Sequence, residues 1–172
     1  ERSKDKQKTQ IINLIVSAGE VYVDKHKNTV TQPITLNQLI KDGLKLPFEL
    51  EGSIIYYTGP SPTRPGEIVG SIGPTTSYRM DAYTPDILSK GAAILIGKGS
   101  RSELVKEYLL KNNAIYCAAL GGAGALLASK VKSISVVAFP ELGPEAIHKL
   151  EVEEFPVIVV NDLQGNDIYE NH

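Results

Sequence analysis

Between Ser53 and Val160 short apolar runs alternate with helix-patterned segments, and few architectures accept that alternation. Ser53–Tyr57, Ala92–Ile96, Ala114–Ala119 and Ile134–Ala138 are apolar for only five or six residues, the length of strands rather than helices. Val157–Val160 reads as a last buried strand, and Ile11–Val16 as a first. Glu67–Ser71 reads as a strand forming a hairpin with Ser53–Tyr57 across the Pro- and Gly-rich loop Gly59–Gly66. Leu36, Leu39, Ile40 and Leu44 recur at helical spacing, with Thr35 as N-cap, Gly43 near the end and Pro47 beyond it. Thr84-Pro85-Asp86 supplies a cap, a proline for the first turn and an acid beside the helix dipole. Ser102–Leu110, Gly121–Ala128 and Glu141–Leu150 complete the expected helices. Short buried strands interleaved with helices predict an α/β fold with a mixed, partly parallel sheet and flanking helices. Residues 11–172 are expected to form one domain after a solvated end at residues 1–10.

A chain of 172 residues with 42% apolar and 22% charged side chains can bury a sizeable core. Its net charge of −2 gives no basic field for nucleic acid, and no run reaches the ~20 apolar residues of a membrane helix. No secretory leader is recognisable, because Ile11–Val16 is too short and lacks a cleavage site. The single cysteine, Cys117, excludes an internal disulfide and suits a reducing, cytoplasmic setting. It also excludes an iron–sulfur cluster held by this chain's thiolates alone.

Three segments carry potential chemistry. Gly70–Asp81 combines the hydroxyls of Thr75, Thr76 and Ser77 with the Arg79 guanidinium, a donor set for carboxylate or phosphate. A strand-end turn, with Thr and Ser capping backbone and Arg79 paired to Asp81 or Asp86, uses the same residues. Ile96-Gly97-Lys98-Gly99-Ser100 follows a strand, so Lys98 is expected at the ligand crevice of an α/β sheet. It lacks Walker A spacing, and a solvated lysine in a flexible turn is the plainer account. Ala119–Ala125 suits close helix packing, with an anion at the helix start as the alternative. His26 and His148 have no second ligand at metal spacing, and His148 is expected on an exposed helix face. Cys117 is expected to be a buried, inert thiol.

Taken in order, Tyr57-Thr-Gly-Pro, Gly-Ser-Ile-Gly-Pro-Thr-Thr-Ser-Tyr-Arg-Met-Asp81, Thr84-Pro85, Ile-Gly-Lys98-Gly, Gly121-Gly-Ala, Glu141-Leu-Gly-Pro-Glu-Ala-Ile, Glu151-Val and Val160-Asn-Asp-x-x-Gly-Asn-Asp-x-Tyr169 resemble one family. It is the C-terminal domain of class I fumarate hydratases, which also occurs as the separate β subunit of two-chain fumarases and of L-tartrate dehydratase. The resemblance runs from about Leu36 to Tyr169.

The resemblance implies a swivelling β/β/α domain that closes over a larger α subunit and is inactive without it. That partner's cysteines would hold a 4Fe–4S cluster, none being bound by this chain. The substrate would be a C4 dicarboxylate, fumarate and malate or else tartrate, in an α2β2 or homodimeric assembly. By motif, Thr75 would be the base for the C3 proton, while Arg79 and Lys98 would grip carboxylates. Thr76, Ser77, Gly97 and Gly99 would line the substrate site. Asn28–Pro33 stands where the family has an Ala-Arg-Asp-x-Ala-His element, so one substrate contact of the family is not found there. The same residues leave two other readings: a non-catalytic dicarboxylate-binding or assembly protein, or a stand-alone anion binder using Lys98 and the Gly121 region.

Overall fold

The computed structural model describes residues 9–14 and 36–170. The expected Thr35 cap and the divergent stretch 24–33 lie outside the described residues. Four strands run parallel in chain order: β1 (Thr9–Leu14), β2 (Ile54–Tyr57), β3 (Ile94–Gly97) and β4 (Ile115–Ala118). Antiparallel strands extend both sides, giving the order β5-β6-β1-β2-β3-β4-β7. The added strands are β5 (Val131–Ala138), β6 (Ile147–Val152) and β7 (Ile158–Asn161). The helices are α1 (Leu36–Lys41), α2 (Thr84–Ser89), α3 (Glu103–Lys111) and α4 (Gly124–Ser129). The expected mixed sheet with flanking helices is what forms.

The central strands bury both faces, which is why they read as continuous apolar runs. Successive residues alternate between two cores. Ile55, Tyr57, Leu95 and Tyr116 meet Leu36, Ile87, Leu88, Val105 and Leu109 from α1, α2 and α3. Tyr56, Ile96 and Cys117 face the other way, toward Val69 and Ile72 of the long loop and Leu127 of α4. Ser102 caps α3 by accepting from the Val105 N–H at 3.4 Å. Gly43, at φ +65°, ends the α1 region in the left-handed conformation that a side chain would resist.

Several expectations are corrected. Glu67–Ser71 forms no strand: both edges of β2 are taken by β1 and β3, so no hairpin partner can pair there. The segment instead folds back on its own loop, with the Ser61 N–H bonded to the Ser71 carbonyl at 2.8 Å. Glu141–Leu150 is not a helix but a 3-10 turn, Pro140–Glu145, followed by β6. Gly143 breaks the turn at φ +58°, and β5 and β1 claim the following residues for the sheet. His148 therefore lies buried on a strand, not exposed on a helix. β7 is an edge strand whose Ile158 and Val159 are exposed, so only its end is buried. Thr84 is the first residue of α2 rather than its cap, which is Tyr83. Its hydroxyl turns inward and donates to the Met80 carbonyl at 2.8 Å.

Candidate active-site half

The two chemistry-bearing loops leave neighbouring parallel strands, β2 and β3, at their carboxyl ends, where open α/β sheets bind ligands. The first loop returns to the sheet at Thr75. Its N–H and its Oγ1 both donate to the Tyr57 carbonyl, at 2.9 and 3.1 Å. Thr76 then pairs with Lys98 as a short parallel bridge between the loops.

Ser77 completes the junction. Its N–H donates to the Lys98 carbonyl at 3.1 Å, and its Oγ accepts from the Lys98 N–H at 2.9 Å. Ser77 is fully buried, and its hydroxyl is spent on this contact and on the Thr75 carbonyl. Gly97 is buried directly opposite, where a β-carbon would lie 1.8 Å from the Ser77 Oγ. Gly99, at φ +84°, turns its carbonyl to accept the Tyr116 hydroxyl at 2.9 Å.

Of the predicted site residues, Thr76, Arg79 and Lys98 are exposed, Thr75 and Gly99 are half-buried, and Ser77 and Gly97 are enclosed. Arg79 sits in the 3-10 turn Ser77–Met80. It has no acidic partner among the described residues. Asp81 is engaged by Arg101 and the Ser102 N–H, and Asp86 accepts from the Asn37 side-chain amide at 3.3 Å. The alternative of an Arg79 paired to either aspartate is therefore not realised. Lys98 also lacks an acidic partner among the described residues, and its side chain passes over Gly121, with Nζ 3.8 Å from where a β-carbon would stand. Joined loops thus carry two exposed cations without acidic partners among the described residues, an arrangement suited to an anion.

In the Gly121–Gly124 stretch, Gly124 serves packing, while Gly122 has open space where a β-carbon would stand. A β-carbon on Gly124 would lie 2.1 Å from the Ser71 Oγ and 2.9 Å from the Gly73 nitrogen. No three His, Cys, Asp or Glu side chains gather as a metal site among the described residues. Cys117 is buried in β4, and burial pushes its thiol pKa up, away from the thiolate a cluster requires.

Sequence reasoning missed Arg101 and the two tyrosines around it. Arg101 is 4% exposed, ion-paired to Asp81 and stacked between Tyr57 and Tyr116, with ring centroids 5.2 and 5.1 Å from its guanidinium carbon. Burial pushes both phenols' pKa values up, against the pull of Arg101, so they remain protonated donors. Nothing in Gly99-Ser100-Arg101-Ser102 separates this arginine from a solvated one, because its partners lie some 15 to 45 residues away.

Residues 7–172 match the family described as Fumarase C-terminus. The chain is 42% identical over 136 residues to "Fumarate hydratase 2" of Leishmania major, covering 78% of this chain and 24% of that protein. It is likewise 42% identical over 137 residues to "Fumarate hydratase class I, anaerobic" of Escherichia coli, covering 25% of it. The chain thus spans about a quarter of the length of these fumarate hydratases. Against the "Putative L(+)-tartrate dehydratase subunit beta" of Methanocaldococcus jannaschii it is 37% identical, covering 97% of this chain and 87% of that protein. With its sheet, its joined loops and its match over nearly the whole chain, the protein belongs to the fumarase C-terminus family.

Proposed function

We propose that this chain is one half of the active site of a hydro-lyase that interconverts fumarate and (S)-malate. The observation that carries the reading is the pair of cations, Arg79 and Lys98, without acidic partners among the described residues, on loops locked together beside Thr75. Both carboxylates of a C4 substrate are ionised at neutral pH. Arg79 can hold one through two parallel N–H bonds, and Lys98 adds a point charge. As the C3 proton leaves malate, charge builds on the adjacent carboxylate, and a cation fixed there stabilises that charge more than the ground state.

Thr75 is the candidate acceptor of the C3 proton. Its hydroxyl donates to the Tyr57 carbonyl at 3.1 Å, which fixes the position of the oxygen. A hydroxyl is a poor base, so this role requires the cations beside it to stabilise the deprotonated form. Thr76 and Gly99 line the same surface. Ser77 and Gly97 act by holding the loops in register, since both are enclosed.

The remaining half of the site belongs to an α partner in this reading. Such a partner accounts for the three quarters of the fumarate hydratases that this chain does not span. A 4Fe–4S cluster held there would supply a Lewis acid for the departing hydroxyl. The nearly end-to-end match to a protein named as a β subunit supports a separate chain working in a two-chain enzyme, and keeps tartrate as the second substrate reading. No described helix is long and apolar enough to cross a membrane.

Arg79→Ala and Lys98→Ala test the reading in the assembled enzyme. Each is expected to lower kcat/KM by roughly 10²-fold or more while the circular dichroism spectrum is retained. A variant that keeps wild-type kcat/KM removes that residue from the site.

A further inference from the structure

We propose that Arg101 is a positioning residue that sets the geometry of the two site loops; the inference rests on the hydro-lyase reading above. Burying a guanidinium is unfavourable unless its partners compensate. Here its partners lie on, or beside, the two loops and the strands that hold them. Nη2 meets Asp81, which directly follows the turn carrying Arg79, and donates to the Thr84 Oγ1 at 3.1 Å. Thr84 in turn donates to the Met80 carbonyl at 2.8 Å, so both contacts secure the residues after Arg79. The Asp81 carboxylate also accepts from the Ser102 N–H at 2.7 Å, tying that turn to the chain just beyond Lys98.

The flanking rings extend the arrangement. Tyr57 presents the carbonyl that holds Thr75 at 2.9 Å through N–H, and Tyr116 donates to the Gly99 carbonyl at 2.9 Å. Meanwhile Arg101 Nε and Nη1 make no hydrogen bond among the described residues. A residue kept for stability alone is poorly suited to leaving these donors unused, and an apolar side chain would fill the space between two tyrosines without that cost. The planar cation instead fixes, at one point, the positions of Thr75, Arg79 and Lys98.

The test compares wild type with Arg101→Lys, which keeps the charge but loses the planar fork and the stacking. The double variant Asp81→Asn/Arg101→Gln, which removes both charges together, is carried in parallel in case the single change unfolds. Both are assembled with the cluster-bearing partner and assayed with fumarate and with malate, and amide exchange is followed on the same preparations. The expected result is a kcat/KM lower by about 10²-fold with a raised KM, as a misplaced contact produces. The amides of Thr75, Ser77 and Lys98 should exchange about tenfold faster, while those of β2, β3 and β4 keep their protection. If both variants keep kcat/KM and loop exchange within about twofold of wild type, Arg101 is a packing residue and the proposal fails. Loss confined to melting temperature, with kinetics unchanged, overturns it equally. Arg79→Ala separates the two ideas: retained activity there sinks the hydro-lyase reading, while the exchange result still decides the role of Arg101.

Discussion

A methyl group added at Gly97 would stand 1.8 Å from the Ser77 hydroxyl, the atom that receives the Lys98 N–H. Gly97→Ala must therefore push Ser77 out of the junction or move β3. The expected cost is about 1–3 kcal/mol, as for other overpacked sites, visible as a lower melting temperature. Gly121→Ala is the control: its new β-carbon meets only the Lys98 side chain, at 3.7–3.8 Å, and should leave stability within about 0.5 kcal/mol. At this scale the sequence conveyed residue types and not their roles. Lys98 between two glycines pointed to an exposed cation at a strand end, and the structure has one there. Ser77, by contrast, looked identical to Thr75 and Thr76 as a hydroxyl in a turn. Only pairing with Lys98, 21 residues away, turns its side chain inward. Arg101 escaped notice for the same reason, since an arginine's burial is decided by its distant neighbours.

Among the elements, β6 departs furthest from its local pattern. Glu141–Leu150 carries helix-favouring residues, but the sheet claims Ile147–Val152 from both sides, and long-range pairing outweighs weak helix propensity. The parallel strands β2, β3 and β4 were legible because burial on both faces leaves a signal in any window of sequence. β6 and the unpaired Glu67–Ser71 segment were not, because whether a strand finds a free edge is a property of the assembled sheet. The strand position of His148 has a testable consequence. Burial lowers its pKa below the usual 6.5, outweighing a hydrogen bond with the Ala146 backbone. The unfolded chain therefore binds a proton at His148 before the folded one does. The stabilising contribution is present above pH 6.5 and is lost as pH falls below it, by at most about 1.4 kcal/mol per pH unit for one proton. Urea titrations between pH 7 and pH 5 should show this loss in wild type and a flatter profile in His148→Gln. Equal slopes would place the titration elsewhere.

As a whole molecule, the described residues form a seven-stranded sheet that, in the proposed reading, carries part of a chemical site. Its two cations lie on the surface without acidic partners among the described residues, and no metal-binding cluster accompanies them there. It spans only a quarter of the fumarate hydratases it resembles. In the proposed reading, a site completed by another chain reconciles a well-packed fold with such a sparse catalytic inventory. Edge exposure at β7, where Ile158 and Val159 are open, shows that the sheet leaves apolar surface uncovered as well. The decisive measurement is malate formation from fumarate under anaerobic conditions. It compares this chain alone, a cluster-loaded α partner alone, and the two mixed. Activity that arises only in the mixture, and falls by roughly 10²-fold with Arg79→Ala in this chain, is the predicted result. Full activity of the α partner without this chain, or a mixture indifferent to Arg79, would contradict the assignment of half the active site to this protein.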